Sequence, residues 1–156
     1  MKTIIIYTTK HGATGEIAHK IADKIGGALI HNLSNGAAPS LMEFDCVIIG
    51  SSLYAGGINR QMKAFLKQNS NVLQEKKTGL FVSGLEPSEE KKYFESNFPT
   101  DILKSAKATS FLGGIFDPQK ASAMERMMLK AVAKLSDYTN TIDDEKIKEF
   151  AETIKA

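Results

Sequence analysis

Thr3-Ile-Ile-Ile-Tyr-Thr-Thr-Lys-His-Gly-Ala-Thr-Gly-Glu16 is the stretch from which the rest of the chain can be placed. It opens with a continuous β-branched run, the pattern of a strand buried on both faces. From Thr14 the period changes. Ile17, Ala18, Ile21, Ala22 and Ile25 recur at helical spacing until Gly26-Gly27 stops the helix. A strand that passes through a short polar loop into a helix is the first half of a βαβ unit.

The same alternation continues outward. Strands are expected over 28–31 (weak), 46–50, 79–82 and 109–116. Helices are expected around the Ile58, Met62, Phe65, Leu66 stripe, over 88–106 with a break near Pro99, over 122–135 and over 143–154. In the 122–135 helix, Met124, Met127, Met128, Ala131, Val132 and Leu135 form one face, read as core packing; an adaptable binding surface is the other reading. Strands alternating with helices imply right-handed crossovers and a parallel sheet, here of five strands in one α/β domain over residues 1–156. The two most apolar strands, 3–7 and 46–50, should lie centrally. Ligands of such sheets bind beyond the carboxyl ends of the strands, which selects loops 8–14, 50–57 and 83–90.

Composition bounds the function. The chain has 156 residues, 42% hydrophobic and 24% charged, with a net charge of +2. These values fit a globular domain and exclude a disordered chain or a disulfide scaffold. The weak positive charge, without a Lys/Arg stripe, argues against nucleic acid. No apolar run approaches the ~20 residues of a membrane-spanning helix. The apolar stretch near Met1 is too short for a secretory signal, and the lone Cys46 suits a reducing compartment. A cytoplasmic location is therefore expected. Cys46 opens a buried strand and reads as core. His19 and His31 lack ligand spacing, so no metal is assigned.

The loop Thr9-Lys10-His11-Gly12-Ala13-Thr14 leads directly into a helix N-terminus. Free backbone N–H groups and the positive end of the helix dipole favour an anion there. Thr9 and Thr14 offer hydroxyls, and Gly12 and Ala13 let a phosphate approach closely. The plainer alternative is that Thr14 only caps the helix. Lys10 reads as a solvent-facing charge, and His11 as either solvated or, when protonated, an aid to the phosphate. Other phosphate chemistries fail on inspection. GxxxxGK[ST] is missing, GxGxxG is missing, no Cys stands in the loop, and the first and third strands end without carboxylates. Glu86, Glu89 and Glu90, offset by Lys91 and Lys92, read as a solvated face.

Together these loops resemble the flavodoxin family. Thr9–Thr14 matches the family's [ST]-x-T-G-x-T phosphate loop, with His11 where Thr is usual. Gly50-Ser51-Ser52-Leu53-Tyr54-Ala55-Gly56-Gly57 resembles its second loop, and Ser83-Gly84-Leu85-Glu86 sits where the other flavin-flanking loop is expected. The resemblance implies a flavodoxin-like three-layer α/β/α sandwich with sheet order 2-1-3-4-5, and FMN as cofactor. Thr9, Lys10, His11, Gly12, Ala13 and Thr14 would hold the phosphate, and Tyr54 would stack on the ring. Ser51, Ser52, Leu53, Ala55, Gly56, Gly57, Ser83, Gly84, Leu85 and Glu86 would flank it. No side chain is assigned a catalytic role.

Gly113-Gly114-Ile-Phe-Asp-Pro, the Met-bearing helix and Thr139-Asn-Thr-Ile-Asp143 look like the branch that includes the menaquinone-dependent protoporphyrinogen dehydrogenases. That resemblance implies an FMN oxidoreductase acting on a porphyrinogen or a quinone, with peripheral membrane contact. The alternatives are an electron-carrying flavodoxin served by a redox partner protein, and an FMN-free binding module.

Overall fold

The computed structural model describes residues 1–132 and 134–156; the side chain of Val132 also lies outside the description. Strands β1 (Thr3–Thr8), β2 (Leu29–Asn32), β3 (Cys46–Ser52), β4 (Lys77–Ser83) and β5 (Ala108–Phe111) form one parallel sheet in the order β2-β1-β3-β4-β5. This is the expected flavodoxin-like architecture. β1, β3 and β4 are the inner, almost wholly buried strands, and β2 is a half-buried edge.

The period-2 alternation of β1 divides the core in two. Ile4 and Ile6 face one side with Val47, Ile49, Leu80 and Val82. There they meet Met62, Phe65 and Leu66 of α2 (Arg60–Gln68), Leu73 of α3 (Ser70–Glu75), Phe94 of α4 (Glu90–Asn97) and Ile102 of α5 (Thr100–Ser105). Ile5 faces the other side with Cys46, Ile48 and Phe81. That side is covered by Ile17 and Ile21 of α1 (Ala13–Ile25) and by Ile147, Phe150 and Ile154 of the C-terminal helix, over Asp144–Lys155. Each fully buried Ile or Leu contributes about 1.5–3 kcal/mol of transfer free energy, which makes this double-sided stripe the main source of stability.

The expected single strand over 109–116 is corrected to two pieces. β5 ends at Phe111, and a separate strand β6 (Ile115–Phe116) pairs antiparallel with β7 (Thr139–Asn140). Gly113 breaks the run with φ +84, and a Cβ there would overlap the Thr141 carbonyl. The chain leaves the sheet here and carries α6 (Ala123–Val132) across its carboxyl edge before α7 (Asp144–Lys155) returns to the core.

The reading of the Met face as core packing is also corrected. Met124 and Met127 are 69% and 72% exposed, and Ala131 is exposed as well. Of the described side chains in α6, only Glu125 is buried, and Met128 and Leu129 are half-buried. The helix turns Glu125 inward onto the charged loop at Lys10 and His11, with Met128 and Leu129 beside it on the cavity wall, instead of packing a methionine face on the sheet. The expected inward placement of Val132 and the passage of the helix through Ala133 lie outside the described residues; Leu135 lies beyond the end of α6. No helix of the described residues is long and apolar enough to cross a membrane.

Candidate functional site

In-register pairing brings three strand ends together. Thr8 lies beside Ser51, and Ser52 beside Ser83, so the loops after β1, β3 and β4 leave the same edge. They enclose a cavity of about 440 Å³, within the usual size of small-ligand sites.

The first loop is built around Gly12, the N-cap of α1, whose φ of +103 suits a residue without Cβ. Its N–H is taken by Thr9 Oγ1 at 2.9 Å, and its carbonyl accepts from Glu16 N–H at 3.1 Å. No side chain caps the helix, and the N–H groups of Ala13, Thr14 and Gly15 find no acceptor among the described residues. Three unpaired donors at the positive end of a 13-residue helix, with Ala13 on the cavity wall, fit an anionic group.

Thr14 has a different role from a free hydroxyl donor. It is fully buried and shares a 2.7 Å hydrogen bond with Ser83 Oγ, tying the first loop to the third. Thr8 and Ser51 share a second such bond at 3.0 Å, and Ser51 Oγ also accepts from Asn59 N–H at 3.2 Å. Ser51 and Thr14 therefore brace the walls from behind. Like Gly12 and Gly57, they lie off the cavity lining, whereas the other expected residues lie on it. These are Thr9, Lys10, His11, Ala13, Ser52, Leu53, Tyr54, Ala55, Gly56, Ser83, Gly84, Leu85 and Glu86.

Tyr54 opens a tight turn. Its N–H donates to the Gly57 carbonyl at 2.9 Å, and Gly57 N–H donates back at 3.0 Å. Ala55 and Gly56 between them have φ of +50 and +79. Asn97 holds this turn from α4: Nδ2 donates to the Gly56 carbonyl at 2.8 Å, and Oδ1 accepts from Ile58 N–H at 3.1 Å. Tyr54 is 42% exposed and lines the cavity.

Two sequence readings of charged residues change here. Lys10 is only half-exposed: its Nζ lies 4.0 Å from the Tyr54 ring centroid and 3.2 Å from Glu125 Oε1. His11 Nε2 lies 2.9 Å from Glu125 Oε2. Burial pushes the Glu125 carboxyl up, but the bonds from His11, Ser122 N–H and Lys10 outweigh this and hold it down at about 2. Glu125 is therefore ionised, and His11 donates. Glu86 is also held below the ordinary carboxylate range, by hydrogen bonds from Ser88. Glu90 is more than a solvated charge, since its Oε1 accepts from Phe111 N–H at 2.8 Å.

Sequence reasoning missed a whole wall: Tyr93 from α4, and Gly114, Ile115, Phe116, Asp117, Ala121, Glu125, Met128 and Leu129 from the segment after β5. One signal was available. Ser122-Ala-Met-Glu125 is a capping box, with Ser122 N–H donating to Glu125 Oε1 at 3.2 Å and Glu125 N–H to Ser122 Oγ at 3.1 Å.

A family model described as the flavodoxin domain matches residues 4–143. No curated protein matches the chain in sequence. Among solved structures, a two-electron reduced flavodoxin from Megasphaera elsdenii is similar, at 15% identity and a TM-score of 0.65 over 99% of both chains. A Streptococcus pneumonia flavodoxin is similar at 19% identity and a TM-score of 0.62, over 99% of this chain and 98% of that one. Oxidised Flavodoxin 2 from Bacillus cereus is similar at 20% identity and a TM-score of 0.61, over 99% and 98%. At such identities the likeness to solved structures is one of fold.

Proposed function

The chain belongs to the flavodoxin-domain family, and from that premise we propose that it binds FMN and transfers electrons to and from redox partner proteins. One observation carries this reading. Ala13, the first of three uncapped N–H donors at the start of α1, and the partly exposed Tyr54 border the same cavity. A flavin mononucleotide needs such a pair, an anion site and an aromatic platform. The FMN phosphate would lie against Ala13, Thr14 and Gly15 N–H, with Thr9 beside it. The ring would lie along Tyr54, flanked by the 52–56 and 83–86 loops.

Bound FMN would supply the redox chemistry. The protein's own part is positioning. The Thr14–Ser83 and Thr8–Ser51 hydroxyl bonds fix the three loops relative to one another. Asn97 holds the Tyr54–Gly57 turn in one shape, and the wall from Gly114 to Leu129 limits water.

The narrower reading, an oxidoreductase acting on a porphyrinogen or a quinone, draws support from that wall. Ile115, Phe116, Met128 and Leu129 give the cavity an apolar side, which suits a planar apolar substrate better than an electron relay requires. Exposed Met124 and Met127 with Arg126 and Lys130 would suit peripheral contact with an anionic surface in the cytoplasm.

The test is the visible spectrum of the purified protein, with heat release and identification of any flavin, then titration with FMN. A yellow protein with one FMN per chain is expected. A colourless protein that leaves added FMN fluorescence unquenched would overturn the reading. Turnover of protoporphyrinogen with a quinone then separates the oxidoreductase from the carrier.

A further inference from the structure

We propose that Glu125 is a positioning residue that latches the segment 117–131 onto the phosphate loop and thereby controls how fast FMN is exchanged. The latch is independent of what binds, but its effect on FMN rests on the function proposed above.

The apolar attachment of α6 is thin, because Met124, Met127 and Ala131 face solvent and Met128 and Leu129 are only half-buried. Its one deeply placed described side chain is a carboxylate, 7% exposed. Placing an ionised group there is costly unless every oxygen is paired. Both oxygens are paired. Oε1 receives Lys10 Nζ at 3.2 Å and Ser122 N–H at 3.2 Å, and Oε2 receives His11 Nε2 at 2.9 Å. Glu125 thus joins its own helix start to two consecutive residues of the loop that precedes α1, more than 110 positions earlier in the chain. Breaking such a set strands buried charge, so the bonds hold or release together.

The consequence is geometric. Lys10, pulled by Glu125, lies over the Tyr54 ring, so the same carboxylate sets side chains on two of the cavity's loops. Phe116, Ala121, Met128 and Leu129 belong to the wall that the latch fastens. Releasing it frees that wall while leaving the sheet core, which holds none of these four side chains, to fold as before.

E125Q is the informative variant. Glutamine at this position of a capping box keeps the bond to Ser122 N–H. It removes the charge that holds Lys10 and His11. The first readout needs no flavin: trypsin cleavage at Lys120, Arg126 and Lys130 of the flavin-free full chain, followed by mass spectrometry. E125Q is expected to be cut in this segment at least about tenfold faster than wild type, the loss of one to two charge-assisted hydrogen bonds. E125D, which restores the charge on a shorter arm, should recover part of the protection. S122A removes the cap but keeps the charge, and should fall well short of E125Q. Circular dichroism and thermal unfolding check that each variant folds.

The second readout is FMN dissociation after dilution, followed by flavin fluorescence, with E125Q expected to release FMN about tenfold or more faster. Protection of the segment in E125Q equal to wild type would overturn the latch. So would faster cleavage equal in E125Q and S122A, which would make Glu125 only a cap. Faster cleavage with an unchanged FMN release rate would overturn the control of exchange. If FMN binds neither protein, the function proposed above fails, and the cleavage result still decides the latch.

Discussion

Asn97 Nδ2 donates to the carbonyl of Gly56 at 2.8 Å, and this bond from α4 fixes the turn that presents Tyr54. The same amide accepts from Ile58 N–H at 3.1 Å and donates to the Tyr93 carbonyl at 2.8 Å. A buried side chain 8% exposed thereby satisfies three backbone groups on two elements.

Asn97→Ala removes all three bonds at once. Each buried backbone group left unpaired costs about 1–3 kcal/mol, and water entering the gap recovers part of that. We expect the urea midpoint to fall by the equivalent of about 2–4 kcal/mol and FMN affinity to fall with it, because Ala55, at φ +50, holds an uncommon conformation that the turn must enforce. Equilibrium unfolding and an FMN titration of the same preparation measure both. An unchanged midpoint would mean that the turn holds itself.

How much of this was legible in the sequence follows from what each residue answers to. Ile4, Ile5 and Ile6 answer to the hydrophobic effect alone, so an unbroken apolar run was enough to place β1 in the middle of the sheet. The loop after it stood out because a glycine between hydroxyls leads straight from that strand into a helix start. Asn97 and Tyr93 were not legible, since their roles exist only once α4 lies against the 54–57 turn. Met124 and Met127 misled for a physical reason. Helical period reports which residues share a face, but not whether the neighbour is an apolar sheet or a charged loop. Here the neighbour carries Lys10 and His11, so the helix buries Glu125 and leaves the methionines outside.

Gly113 marks where the chain departs from the expected strand. Its φ of +84 and its contact with the Thr141 backbone leave no room for a side chain. Gly113→Ala combines a left-handed alanine with a steric overlap against backbone, together about 2–5 kcal/mol. The β6–β7 pair should be displaced first, because it depends on this crossing, while β1 and β3 remain protected. Hydrogen exchange resolved by residue would show faster exchange at Ile115, Phe116 and Thr139 against an unchanged β1; uniform loss of protection would contradict it.

Cys46 lies at the start of β3 with no exposed surface, and burial pushes its thiol pKa up. The thiolate is the reactive form, so the folded protein should resist Ellman's reagent at pH 8 and release one equivalent only in denaturant. Rapid labelling of the native protein would mean that the β1–β3 edge opens on the assay timescale.

The Glu125 carboxyl gives the pH dependence a defined direction. Its folded pKa, about 2, is below the ordinary 4.5. The unfolded state therefore takes up the proton first as pH falls. The stability that this group contributes is fully present above pH 4.5 and is lost as pH falls from 4.5 toward 2. The groups that face it are Lys10 and His11 on the loop before α1 and Ser122 on its own segment; Arg126 turns away to the carbonyls of Pro118 and Ala121. The stability difference between wild type and E125Q, read from urea midpoints, should be constant near pH 5 and shrink steadily below 4.5. A difference that stays the same at pH 3 would mean that the carboxylate's charge contributes nothing to holding α6, and that its place in the fold rests on the capping box alone.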